Sequence, residues 1–264
     1  NDIQEMDITA EEAFERMRAM YEAMKKSDHD YDPALSSASG LVGGDGEKIA
    51  SARQEGKLLC GSFIGLVMEK AIKMAESNAC MKRIVAAPTA GSCGVVPAVF
   101  LSLEQEKGYS VEEMTKALYT SAGIGGIIAQ KASISGAAGG CQAEIGAASA
   151  MAAGGVASLL GGDGEAISHA AALAMKNLLG LACDPVAGLV EIPCVKRNVI
   201  GAVNALTSAD LANAGIRSKI PPDEVFDAMR TIGRMLPEEL KETGKGGLAA
   251  TPTGIAFKNR LETF

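Results

Sequence analysis

Eighteen consecutive residues, Ile145–Gly162, carry no charge and consist mostly of Ala, Gly and Ser. The stretch has near-spanning length for a membrane, but Leu and Ile are too sparse in it for a lipid-facing helix. It reads as a helix buried in a protein core. Side chains this small fill little volume, so whatever packs on such a helix must approach its backbone closely. The composition extends the same demand to the whole chain. Hydrophobic residues make up 47%, yet aromatics only 4%, with no Trp and 31 Gly. A core built from Ala, Val, Ile, Leu and Met implies closely packed helices joined by glycine-rich loops.

Local signals agree. Thr9 and Glu12 form a capping box, after which Phe14, Met17, Tyr21 and Met24 recur at helical spacing, so residues 9–27 are expected to be helical. Ser110 and Glu113 repeat the box. Phe63, Val67 and Ile72 predict a helix ending before Asn78, and Pro222-Asp223 opens a late one through Met229 and Ile232. No alternating Val/Ile/Thr run is long enough to predict a sheet, although Val186–Ile192 reads as extended. The expected fold is all-α, one domain over residues 1–264.

The net charge of −7 argues against nucleic acid, whose phosphates favour basic surfaces. Asn1–Glu5 are polar and acidic, unlike a signal peptide. With no membrane span expected, a cytoplasmic location follows.

A repeated glycine loop and three other stretches stand out as distinctive loops. Gly43-Gly44-Asp45-Gly46-Glu47 recurs identically as Gly161-Gly162-Asp163-Gly164-Glu165, each copy ahead of a helical pattern. A tight turn feeding a helix N-terminus explains both, and neither has the acidic spacing of a calcium loop. Ala87–Gly94 holds Thr89, Gly91, Ser92 and Cys93, Gly136–Glu144 holds Cys141, and Cys183–Asn198 holds Cys183 and Cys194. The chain has six cysteines, at 60, 80, 93, 141, 183 and 194. In a cytosolic chain they are not a disulfide framework. Cys141, Cys183 and Cys194 each sit beside Gly or Pro, near a potential helix start, where a thiolate is stabilised and can bind soft metals. No C-x-x-C pair suggests structural zinc, and the wide spacing differs from compact ferredoxin spacing. Spacing alone leaves the metal open.

The stretches SGLVGGD (Ser39–Asp45), APTAGSCGVVP (Ala87–Pro97), SGAAGGCQAEIG (Ser135–Gly146) and NLLGLACDPVAGLVEIPCVKRN (Asn177–Asn198) closely resemble the α chain of iron–sulfur L-serine dehydratases. The resemblance covers most of the chain. It implies a largely helical catalytic domain that converts L-serine to pyruvate and ammonia. It also implies a 4Fe–4S cluster on Cys141, Cys183 and Cys194 with one iron open, and no pyridoxal phosphate. The single-chain form of the family carries a regulatory domain with an SSSHT-like segment, and no such segment occurs here. That places the chain with the two-subunit form, whose β chain is separate, with a higher oligomer allowed. Some single-chain members end in a Cys that reaches the cluster, whereas this sequence ends Leu261-Glu262-Thr263-Phe264.

β-Elimination from serine needs a Cα base, an anchored carboxylate and help for a poor leaving group. Backbone amides at glycine loops suit the carboxylate. Thr89, Gly91 and Ser92 are the first candidates to bind it, then Ser39, Asp45 and Lys48, with Asn198 as a further hydrogen-bonding group. Candidate bases are Ser92 and His169, the latter on an Ala-rich helix. His29 lies in a polar turn, and Lys196 and Arg197 could orient a carboxylate beside Cys194. Lys241–Gly254 reads as a flap or an ordinary loop. Two other readings stay open: a related cluster-dependent L-cysteine desulfidase, and a non-catalytic helical binding subunit with inert cysteines.

Overall fold

The computed structural model describes residues 8–263, so Asn1–Glu5 lie outside the described residues. Among those described there are helices and turns but no strand, and the only pairing of strand type is one isolated parallel bridge, Cys183 with Lys241. The fold is all-α. No helix is long and apolar enough to cross a membrane.

The centre is α7 (Ala147–Leu159), preceded by a π-helical turn at Gln142–Gly146. Every residue from Ala147 to Ala157 is buried. Four helices enclose it: α4 (Val95–Lys107), α5 (Val111–Lys131), α8 (Gly164–Lys176) and α9 (Cys194–Asn213). The small side chains permit the approach expected of them. A Cβ at Gly154 would lie 2.0 Å from Ile124 Cδ1, and one at Gly155 would lie 2.2 Å from Ser121 Oγ. Both distances are far inside van der Waals contact, so any larger residue would force Ile124 or Ser121 to move. The hydroxyls of Ser102 on α4 and Ser208 on α9 are buried with no hydrogen-bond partner among the described residues, whereas Ser149 and Asn204 are partnered. Ser149 donates to the Gly201 carbonyl at 2.7 Å, and Asn204 donates to Ser149 Oγ and the Ala174 carbonyl, both at 2.9 Å.

The capping boxes start α1 (Ala10–His29) and α5 as expected. Tyr21 and Met24 of α1 are buried in the core. The two copies of the glycine loop start α2 (Asp45–Gln54) and α8, but by different means. Asp163 accepts the Ala166 N–H with its own side chain. At α2 the buried Glu76 of α3 (Gly61–Ala79) supplies the carboxylate, accepting from Asp45 N at 2.9 Å and Gly46 N at 3.1 Å. Helix α3 runs to Ala79, past the expected end before Asn78, with the Cys80 N–H closing its last turn on the Glu76 carbonyl. α6 is the short Gly136–Gly139, and α10 (Pro222–Met235) packs on α8.

Val186–Ile192 is not extended. Val186–Gly188 is a 3-10 turn, and Val186 N–H closes the loop on the Ile192 carbonyl at 2.9 Å. Pro185, Gly188 and Pro193 break any ladder the branched residues would favour. The last helix, α11 (Pro252–Leu261), packs on this loop and on the turn Gly247–Ala250.

Candidate active site

Cys141, Cys183 and Cys194 come from three different connections and lie buried near one another. They are 2%, 2% and 7% exposed. Cys141 precedes the π turn and Cys194 opens α9, as their glycine and proline neighbours suggested. Cys183 is not at a helix start. It is clamped to the C-terminal segment, where its N–H donates to the Leu240 carbonyl and its carbonyl accepts from Glu242 N, each at 2.8 Å.

Burial outweighs the backbone N–H groups that lower Cys141 and Cys194 at their helix starts. Burial pushes Cys141 up to about 11 and Cys194 up to about 12, and pushes Cys183 further still. Cys141 raises both Cys183 and Cys194, and Cys194 in turn raises Cys183, so the three sulfurs sense one another's charge. Arg197 opposes this at Cys141 and Cys194. Its guanidinium pairs with the buried Asp184 at 2.9 Å.

Three buried thiols are the kind of soft donor set that an iron–sulfur cluster takes. Among the described residues no three His, Cys, Asp or Glu side chains converge tightly enough to chelate one metal ion. A cubane cluster binds each thiolate to a different iron, so its ligands need not share a point. Apolar burial keeps a thiol protonated until a metal displaces the proton.

The other cysteines lie elsewhere. Cys60 is exposed and Cys80 half-buried, at opposite ends of α3. Cys93 is buried, and its thiol points to the Met74 carbonyl at 3.7 Å.

The Thr89–Ser92 loop faces the cysteines through Glu144. Thr89 Oγ1 donates to Glu144 Oε1 at 2.7 Å, and a Cβ on Gly91 would lie 3.1 Å from the same oxygen. The Cys183 thiol reaches Glu144 Oε2 at 3.8 Å. Ser92 is fully buried inside the turn, its Oγ accepting the Thr89 N–H at 3.3 Å. Thr89, rather than Ser92, meets the carboxylate. Burial raises the Glu144 carboxyl above the usual range, the Thr89 hydroxyl lowers it, and Glu242 raises it again.

Asn198 is fully buried and its amide is committed to the protein. It accepts the Gly94 N–H and donates to the Gly91 and Cys194 carbonyls, each at 2.9 Å. It therefore ties the loop to a site cysteine and has no group left for substrate. Gln142, beside Cys141, acts similarly. It donates to the Met229 carbonyl at 3.0 Å and accepts from Gly180 N at 2.9 Å.

The remaining candidates lie apart. Ser39 joins Ser37 in donating to the buried Glu191, and both serines line a cleft of about 790 Å³ with Ala187, Leu189 and Arg260. Asp45 pairs with Lys48 at 2.7 Å and Lys196 at 2.5 Å, and Lys48 is largely exposed. Glu76 already fills the α2 amides that were to bind a carboxylate. His169 sits on α8, where its Nδ1 accepts the Ser218 N–H at 3.1 Å and Nε2 lies 3.9 Å from Glu165. Its contacts therefore go to Ser218 and Glu165 and none joins it to the cysteines.

Sequence reasoning did not single out Glu144 or Glu242, which the fold brings beside Cys183. A signal for Glu144 was present: it is the last charge before the uncharged stretch that becomes α7.

The sequence matches the family described as serine dehydratase alpha chain over residues 1–249. It is 47% identical to a probable L-serine dehydratase alpha chain of Bacillus subtilis (strain 168), covering 98% of this chain and 87% of that one. It is 54% identical to a probable L-serine dehydratase alpha chain of Latilactobacillus sakei, over 74% of this chain and 93% of that one. The L-serine dehydratase alpha chain of Peptoniphilus asaccharolyticus is 45% identical, over 81% of this chain and 73% of its own. With a family match that spans nearly all of its helices and includes Cys141, Cys183 and Cys194, the chain belongs to the serine dehydratase alpha chain family.

Proposed function

We propose that this chain is the catalytic subunit of an L-serine dehydratase that eliminates water from L-serine, the resulting enamine hydrolysing to pyruvate and ammonia. One observation carries the reading: three buried, mutually sensed cysteines face a carboxylate that is hydrogen-bonded to the glycine-rich Thr89–Ser92 loop. Family membership supplies the substrate, since the relatives named above are called L-serine dehydratases.

Cys141, Cys183 and Cys194 would hold a 4Fe–4S cluster. When bound, such a cluster with an open iron supplies Lewis acidity toward a hydroxyl leaving group. The rest is the work of the protein. Glu144 accepts the Cα proton at Oε2, the oxygen that faces Cys183, while Thr89 fixes Oε1. Its raised pKa makes it a stronger base than an exposed glutamate once ionised. Ser92 and Asn198 hold the loop in the conformation that aims Thr89 at it. The strap that pairs with Cys183 at Leu240 and Glu242 shields this corner from bulk water. The alpha chain names of the relatives support a separate β chain as partner.

Anaerobic reconstitution with iron and sulfide tests the reading. The expected product is a brown protein that forms pyruvate from L-serine when its β chain is added. A colourless protein, or one that turns over L-cysteine and not L-serine, would overturn it.

A further inference from the structure

We propose that Glu242 receives the α-ammonium group of the substrate and thereby selects an amino acid over a hydroxy acid. This rests on the serine dehydratase reading above. Glu242 lies on the strap after α10, and its backbone is held in place by the 2.8 Å bond from its N–H to the Cys183 carbonyl. It adopts φ of 65°, a left-handed conformation uncommon for a residue with a side chain. The side chain that results is exposed, yet it is aimed at the cysteine corner.

Gly136 shows how closely the groups converge. A Cβ there would lie 2.7 Å from Glu144 Oε2, 3.1 Å from Glu242 Oε2 and 3.1 Å from Cys183 Sγ. The two carboxylate oxygens are therefore no more than about 6 Å apart, twice an ordinary N–H···O distance, and one ammonium can bridge them. Neither carboxylate has a cationic partner among the described residues. Arg197 is paired with Asp184 and Lys245 with Glu238. The positive charge this corner lacks is one that every α-amino acid carries. The two glutamates divide the work. Glu144, largely buried and tied to Thr89, takes the proton. Glu242, exposed on the strap, binds the ammonium.

The test is anaerobic calorimetry on the reconstituted enzyme with two ligands that it cannot convert. L-Alanine has the ammonium and carboxylate but no β-hydroxyl, and 3-hydroxypropionate has the hydroxyl and carboxylate but no ammonium. In Glu242→Gln the affinity for L-alanine is expected to fall about 10-fold or more, the loss of one charge-assisted hydrogen bond. Binding of 3-hydroxypropionate stays within about twofold by the same reasoning, and Glu242→Asp restores part of the L-alanine affinity. Equal weakening of both ligands would mark a structural role and overturn the proposal, as would unchanged L-alanine binding. Pyruvate formation from L-serine by the unaltered enzyme is measured alongside. Its absence sinks the serine reading itself, whereas pyruvate formation with an unchanged ratio of the two affinities sinks only the role of Glu242.

Discussion

Thr89 donates its hydroxyl proton to Glu144 at 2.7 Å, joining a glycine-rich loop to the π turn beside Cys141. The bond fixes one carboxylate oxygen and leaves the other toward Cys183. Glu144→Gln is expected to lower kcat/KM by roughly 10²–10⁴, the usual contribution of a general base. Thr89→Val should cost about 10- to 100-fold, as expected for a hydrogen bond to a charged group, and Thr89→Ser should recover most of it. Steady-state pyruvate formation checks all three. Wild-type rates in Glu144→Gln would remove it from the chemistry.

The cysteines separate into two groups. Cys141→Ala, Cys183→Ala and Cys194→Ala should each lose the visible absorbance and bound iron after anaerobic reconstitution. Cys60→Ala and Cys93→Ala should keep both, because one thiol is exposed at the far end of α3 and the other points at the Met74 carbonyl. Iron retained at wild-type stoichiometry in Cys183→Ala would contradict the assignment.

Asn198→Ala would leave the Gly94 N–H and the Gly91 and Cys194 carbonyls without their buried partner. The expected loss is about 3 kcal/mol, from the cost of stranding buried polar groups. For a chain of this size that lowers Tm by roughly 6–12 °C in a thermal melt. A melt within a degree of wild type would show that the loop holds itself.

Lys196 first, then Lys48, hold the Asp45 carboxyl below the usual carboxylate range. A depressed folded-state value means that ionised Asp45 stabilises the fold at neutral pH, and that this is lost as pH falls through the depressed value. The pair is partly exposed, so the effect is at most about 1 kcal/mol. Asp45→Asn should lower Tm by roughly 2–4 °C at pH 7 and by nothing at pH well below the carboxylate range. The same deficit at both pH values would trace the effect to packing instead.

The fold was legible where its causes are local. Thr9 with Glu12 and Ser110 with Glu113 carry their own caps, and Ile145–Gly162 announces a helix that others must crowd. The loop at Cys183–Cys194 was legible as site material because its cysteines stand among Gly and Pro. Less could be read where the partner is distant. The identical glycine loops gave no hint that one would be capped by Glu76, from another helix, and the other by its own Asp163. Asn198 looked like a ligand-binding amide, and only the fold shows its capacity spent on three backbone groups. Glu242 donates its N–H to the Cys183 carbonyl across a long stretch of chain, beside the isolated Cys183–Lys241 bridge and with no periodic pattern to mark it.

The π turn at Gln142–Gly146 has one more consequence. Ala147 N–H reaches back five residues to the Gln142 carbonyl, so the turn holds one residue more than an α-helix would. In an α-helix each residue advances the following side chains by about 100°. Removing Ala143 would let the segment relax to regular helix and swing Cys141 and Glu144 out of their shared direction. The expected product is a better-formed helix in an inert protein. The surplus residue thus gives up helix regularity and sets where the Glu144 carboxylate stands relative to Cys141.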